Sequence, residues 1–176
     1  DIKGPQDDGD RQAASLHMVN KWNNFSLATQ ATWYKFDVDG SFLPPLRDPA
    51  VQGTAPAGSL VQFGAFDFPG TVAAQAWIPA VSLSYYRAVP ELGWLEYVIP
   101  YIEYSALIKE ENSFNDSELF IVGTAWGRGG WYIYSEFAFS NGNEFVGGDT
   151  AFGDRLGANL DDRWLTRFNI NFGYYF

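Results

Sequence analysis

The sequence predicts an all-β fold, an antiparallel transmembrane β-barrel built as a meander of about eight to ten strands. Three observations carry that expectation. Apolar and polar residues alternate with period two over long segments, the spacing at which successive side chains leave a strand on opposite faces. The clearest such segment, Arg163 to Phe176, exceeds the about five or six residues of an ordinary soluble strand and suits the about nine to eleven of a tilted membrane strand. The connections also alternate between tight turns and long polar stretches, the asymmetry of barrels with short turns on one side of a membrane and loops on the other.

Composition sets the bounds. A chain of 176 residues is read as a single domain over 1–176, with 1–13 as an extended loop or tail. Seven Trp, ten Tyr and fifteen Phe suit either aromatic girdles at the two membrane interfaces or an aromatic-rich sandwich such as a carbohydrate-binding module. A mean hydropathy of -0.17 is compatible with the membrane because only every second barrel residue meets lipid. No window reaches the roughly 18 consecutive apolar residues of a membrane helix, so any crossing is made by strands. With no Cys there are no disulfides or thiolate metal sites, and a net charge of -10 argues against nucleic acid, whose phosphates need clustered Lys and Arg.

In chain order, Ser15 to Trp22 is a weak strand, and Asn23-Asn24 is a tight turn. Phe25 to Tyr34 sets Phe25, Leu27, Ala31 and Trp33 against Ser26, Gln30, Thr32 and Tyr34. A polar stretch from Asp39 to Gly58 follows. Two short strands, Ser59 to Phe66 and Thr71 to Ile78, are expected around Asp67-Phe68-Pro69-Gly70, and a further one at Val81 to Arg87. After a turn at Pro90 to Gly93, Tyr97 to Lys109 opposes Val98, Pro100, Ile102, Tyr104, Ala106 and Ile108 to Tyr101, Glu103, Ser105 and Lys109. Pro100 lacks the N–H for a ladder bond and belongs near a strand start or bulge. Glu118 to Trp126 is apolar on both faces, with Phe120, Val122, Thr124 and Trp126 the better lipid face. Arg128 to Gly130 is a turn, and Trp131 to Ser140 alternates Trp131, Ile133, Phe137 and Phe139 with Tyr132, Tyr134, Glu136 and Ser140. In the last segment the even positions from Trp164 to Phe176 are almost wholly apolar, and the odd ones carry Arg163, Arg167, Asn169 and Asn171. The count comes to about nine strands, whereas a closed bacterial barrel normally has an even number. Either one strand is miscounted in a small complete barrel, or the chain is the C-terminal portion of a larger one.

The residues opposite the apolar face are the candidate pore lining: Gln30, Tyr34, Tyr101, Glu103, Tyr132, Tyr134, Glu136, Arg163, Arg167, Asn169 and Asn171. An Arg at mid-membrane facing lipid costs about 2 to 4 kcal/mol, so Arg163 and Arg167 face the lumen or the headgroups. Opposed Glu103, Glu136 and Arg167 would either set a transverse field on permeating ions or form ion pairs that plug a narrow interior. Ser15 and His17 share a strand face, but no acidic group completes a catalytic set, and no enzymatic activity is expected. The stretch Asn141 to Asp162 holds Glu144, Asp149, Asp154, Asp161 and Asp162 without the spacing of a Ca²⁺ loop, and reads as a solvated acidic loop. Gly127-Arg128-Gly129-Gly130 is too short for a phosphate loop and reads as a turn.

The ending Arg167-Phe168-Asn169-Ile170-Asn171-Phe172-Gly173-Tyr174-Tyr175-Phe176 resembles the terminal strand of Gram-negative outer-membrane porins, and Pro100-Tyr101-Ile102-Glu103-Tyr104-Ser105 is similar to porin strands that open above a periplasmic turn. The resemblance implies an outer-membrane channel for passive diffusion of small polar solutes or ions, without cofactor or metal. It implies that Phe168, Ile170, Phe172, Tyr174 and Phe176 are read by the barrel assembly machinery. It also implies surroundings of outer-membrane lipid and lipopolysaccharide, and a homo-oligomer such as a trimer. Among porins the chain looks most similar to those near the phosphate-selective group, although only Lys21, Arg163 and Arg167 can be placed in a basic ladder. The alternative is a small closed outer-membrane barrel serving as a structural anchor or a surface-binding protein.

Overall fold

A computed structural model describes residues 9–37, 55–63, 70–142, 156–160 and 162–176. The described chain is an all-β antiparallel structure. Its strands are β1 (Asp10–Trp22), β2 (Phe25–Asp37), β3 (Leu60–Phe63), β4 (Gly70–Ala73), β5 (Gln75–Tyr85), β6 (Arg87–Ala88), β7 (Tyr97–Lys109), β8 (Ser117–Arg128), β9 (Trp131–Asn141) and β10 (Trp164–Tyr174). The main sheet runs β1-β2-β5-β7-β8-β9-β10, with β6 beside β7, while β3 and β4 form a separate hairpin. Every neighbour pair is antiparallel, so the sheet is a meander whose two edges are β1 and β10. No helix among the described residues is long and apolar enough to cross a membrane.

The long strands follow the sequence pattern closely, and β7 has the expected bounds. Other long-strand ends shift by at most three residues, and two differences are larger. Strand β1 starts at Asp10, inside the segment expected as a tail, and Asp1 to Asp8 lie outside the described residues. Thr71 to Ile78 is not one strand: it divides at Ala74, whose N–H is bound to the Ser59 carbonyl (2.8 Å) and whose own carbonyl accepts from Phe36 (2.8 Å). Its second half joins Val81 to Tyr85 in β5, and Arg87 belongs to β6. Pro79 obscured that continuity, and the structure accommodates it by leaving Ile78 and Pro79 out of the β5–β7 ladder while Pro79 still faces Ala31 of β2. Pro100 is accommodated in the same way. It lies in β7 where the pairing partner changes from β5 to β6, so its missing donor leaves no gap in the ladder.

Register propagates each face across the whole sheet. Asn20, Leu27, Leu83, Ile102, Val122, Phe137 and Phe168 form one row in which each residue pairs with the next. From this row the loop-side end is ten residues away on β1 (Asp10) and four on β10 (Trp164); the turn-side end is two away on β1 (Trp22) and six on β10 (Tyr174). That slip of four to six residues over six strand steps corresponds to a tilt of roughly 25 to 35° at the usual strand rise and spacing, approaching that of closed barrels.

Glycines in β8 and β10 make room for tyrosines of adjacent strands. A Cβ on Gly123 would stand 2.5 Å from Tyr101 Cζ and 2.9 Å from Glu136 Cβ, and one on Gly127 2.7 Å from Tyr97 Oη. Gly173 is covered in the same way by the Tyr132 ring. Each ring fills the space that a side chain would otherwise take, the aromatic cover that strand glycines need. Gly123→Ala is expected to destabilise the fold by about 1 to 3 kcal/mol through overpacking, read as a lower urea midpoint of the folded protein. Unchanged stability would show that the ring moves aside freely.

Candidate functional site

One face of the sheet is apolar, and it is exposed. Leu16, Met18, Trp77, Val81, Ile102, Ile108, Phe120, Val122, Phe137, Phe168, Ile170 and Phe172 lie on it with 36 to 75% of their surface accessible. Aromatic residues gather at its two margins. On the turn side, Trp22 stacks on Phe25 (5.7 Å between ring centroids), Phe25 meets Tyr85 (4.6 Å), and Trp94 meets Trp126 edge-on (6.1 Å). On the loop side Trp33 meets Trp77 (6.5 Å). Phe25 and Trp33 are eight residues apart on β2, and Trp164 and Tyr174 ten apart on β10. Those separations are about 26 and 33 Å along a strand, or roughly 20 to 25 Å in projection at a barrel's tilt, close to the height of the apolar band of an outer-membrane barrel.

The opposite face is polar and hydrogen-bonded within itself. Ten of the eleven residues expected to line a pore stand on it, because the register carries Tyr101 to Gly123, Glu136 and Asn169, and Glu103 to Ile121, Ala138 and Arg167. Gln30 and Tyr34 stand on the same side of β2, Tyr132 and Tyr134 on that side of β9, and Asn171 on that side of β10. The exception is Arg163. It precedes β10 and is exposed at the loop-side end of the sheet. Glu144, Asp149, Asp154 and Asp161 of the expected acidic loop lie outside the described residues, while Asp162 accepts from the Asn141 amide.

Two carboxylates organise the middle of this face. Glu136 accepts from the Tyr101 hydroxyl, which reaches over Gly123 to it (2.7 Å), and from the Asn169 amide at a longer 3.5 Å. Glu103 accepts from Ser82 (3.0 Å). Between them runs a groove of about 380 Å³ whose walls include Ser82, Ser84, Tyr101, Glu103, Tyr134 and Glu136. A second groove of about 260 Å³ continues past Gln30 and His17. There the Ser15 hydroxyl is paired with Thr32 (2.8 Å), as is the Gln30 amide (3.1 Å). Ser82 and Ser84 fall within the expected strand Val81 to Arg87, whose faces were not assigned; their alternation with Val81, Leu83 and Tyr85 was the available signal.

At the loop side the polar face is covered. The Tyr34 hydroxyl donates to the Ala73 carbonyl (2.9 Å), holding the β3–β4 hairpin over the face. The segment 156–160 binds it from the other side: Ala73 N–H donates to the Leu156 carbonyl (3.1 Å), and Asn115 N–H to that of Ala158 (3.1 Å). Asn159 is 1% exposed and clasps both strand ends, donating to the Asp116 carbonyl (2.7 Å) and to Asn141 Oδ1 (3.2 Å). Leu60, Ala73, Phe114 and Ala158 close into a small buried cluster there. At the turn side Glu96 holds the Arg128–Gly130 turn, facing Arg128 Nε at 3.8 Å and accepting from Gly129 N–H at 3.2 Å. The turn expected there is present, with Gly129 at φ 55°.

No family model, curated protein or solved structure matches this chain. Both central bonds end on a carboxylate, and the shorter distance and more acidic phenolic donor make Tyr101–Glu136 (2.7 Å) stronger than Ser82–Glu103 (3.0 Å). Tyr101→Phe is therefore expected to cost about 1 to 2 kcal/mol in a urea titration and Ser82→Ala about 1 kcal/mol or less. The reverse order would show that Glu136 is held mainly by Asn169.

Proposed function

We propose that this chain is wall and lumen of a porin-type channel in a Gram-negative outer membrane, admitting small polar solutes or ions by passive diffusion. The observation that carries the reading is the pair of unlike faces on one continuous sheet. An apolar face of seven strands lies exposed between two aromatic margins, and a polar face lies behind it. In water such a patch exceeds what soluble monomers ordinarily expose. Against lipid it is the expected surface, and a ladder of antiparallel strands satisfies the backbone without water. The exposed terminal residues Phe168, Ile170, Phe172, Tyr174 and Phe176 fit recognition by the barrel assembly machinery before the strand meets lipid.

The sheet's geometry favours a larger barrel of which this is the C-terminal portion. Seven antiparallel strands leave β1 and β10 running in the same direction, so pairing them with each other would be parallel. An antiparallel closure takes an odd number of further strands. Strand β1 is a long edge: its 13 residues contain no proline and continue both faces, with Leu16, Met18 and Trp22 on one and Ser15, His17 and Lys21 on the other. The covered loop side favours a second reading, a closed barrel that anchors or presents surface loops, since the hairpin there reduces the open cross-section.

Conductance in planar bilayers separates the two. The channel reading predicts steps of uniform size, and Glu103→Gln with Glu136→Gln shifting ion permeability toward anions, because the two carboxylates line the groove. Silence from protein that is folded in the bilayer would overturn it in favour of the anchor. Ile102→Arg, on the apolar face, is expected to cost about 2 to 4 kcal/mol of folding free energy in vesicles, against less than about 1 kcal/mol for Gln30→Arg on the polar one; equal costs would contradict the assignment of faces.

A further inference from the structure

The polar face is not polar throughout. Beneath the hairpin at the loop side lies a cavity of about 400 Å³, within the range of small-molecule sites. Its floor is made by Phe36, Ile78, Leu107 and Leu119, contributed by β2, β5, β7 and β8, and its cover by Val72 of the hairpin and Leu156 of the returning segment. The groove that adjoins it through Ser105 and Leu119 mixes His17, Gln30, Ser82 and Glu103 with Ala80 and Ile121, and the one beyond is walled mainly by serines, tyrosines and glutamates, so the lining grows more apolar toward the cover. The polar residues of the lining are Tyr34, Ser105, Ser117 and Glu118, and the Glu118 carboxylate accepts from the Tyr104 hydroxyl (2.6 Å), which stands on the opposite face of the sheet. The Tyr34 hydrogen is committed to the Ala73 carbonyl (2.9 Å), which leaves that oxygen able to accept.

We propose that this cavity is a binding site for an uncharged, largely apolar molecule carrying one hydroxyl group, of the size of a substituted phenol. Apolar walls exclude ions and strongly hydrated solutes, because desolvation there is not repaid by hydrogen bonds. A ring or short hydrocarbon gains the transfer free energy of the walls, and its hydroxyl donates to Tyr34 Oη, fixing its orientation. The site lies between sheet and hairpin and is independent of what covers the sheet's outer face. It adds to the proposed channel a selective station for one class of solute at the loop side.

The test is a titration of the full chain with p-cresol, followed by methyl NMR in nanodiscs, or in buffer should the chain stay in solution without lipid. Saturable shifts are expected at Ile78, Leu107 and Leu119, while Leu83, Ile102 and Val122 on the outer face move only linearly, as partitioning into lipid requires. Leu119→Trp, which fills the cavity, is expected to weaken binding about tenfold or more. Should that variant not fold, Ile78→Ala enlarges the cavity and is expected to shift preference several-fold toward 4-propylphenol. Shifts that never saturate, shifts confined to the outer face, or affinity unchanged in both variants would overturn the site. None of these outcomes depends on conductance, so the site and the channel stand or fall separately.

Discussion

The two-residue period of the long strands is the constraint on which everything else depends. A strand that alternates apolar and polar residues over 11 to 13 positions has two unlike faces, and antiparallel register copies each face onto its neighbour. One-residue slippage anywhere would turn Phe137 and Phe168, which meet at 4.9 Å, toward the glutamates. Cross-strand pairs such as this one, Phe120 with Phe139 (6.1 Å) and Tyr101 with Glu136 hold the register from both sides.

The polar face shows how a sheet of such strands makes room for large side chains. Glycines at 123, 127 and 173 lower the wall so that tyrosines can lie across it; the tyrosine at 101 thereby reaches a carboxylate two strands away. Serines and small alanines take the remaining places, so the middle stays open and hydroxyl-lined. The loop side is built differently. There Asn159, Tyr34 and Asn115 tie hairpin, returning segment and strand ends into one unit, and the only compact hydrophobic cluster among the described residues forms beneath them. A chain with most of its apolar groups turned outward thus still has a small conventional core, at the end where its connections are long.

Much of this was legible in the residues themselves. The residue pattern located six of the seven long strands and put ten of eleven polar candidates on one side, because period two survives any error in strand ends. Arg163 keeps the polar parity but lies just outside β10, which begins at Trp164, because parity carries on past a strand's end. Proline hid β5, since Pro79 interrupts a run that the backbone in fact continues by omitting two ladder positions on one side. The hairpin's position over the polar face, the tyrosine–glycine pairs and the apolar cavity depend on which strands are neighbours and in what register. No local pattern encodes that. Phe36, Ile78, Leu107 and Leu119 each look like an isolated departure from alternation until the sheet places them side by side.

The account turns on what touches the outer face, and the chain's lack of cysteine makes that directly measurable. Spin labels placed one at a time along Tyr97–Lys109 in vesicles report contact with lipid-soluble oxygen and with an aqueous nickel chelate. The account predicts that oxygen contact peaks at Ile102, Tyr104 and Ile108 and nickel contact at Tyr101, Glu103 and Ser105, alternating residue by residue. Uniform nickel contact at both sets, or a protein that never associates with the vesicles and remains monodisperse in buffer, would contradict it.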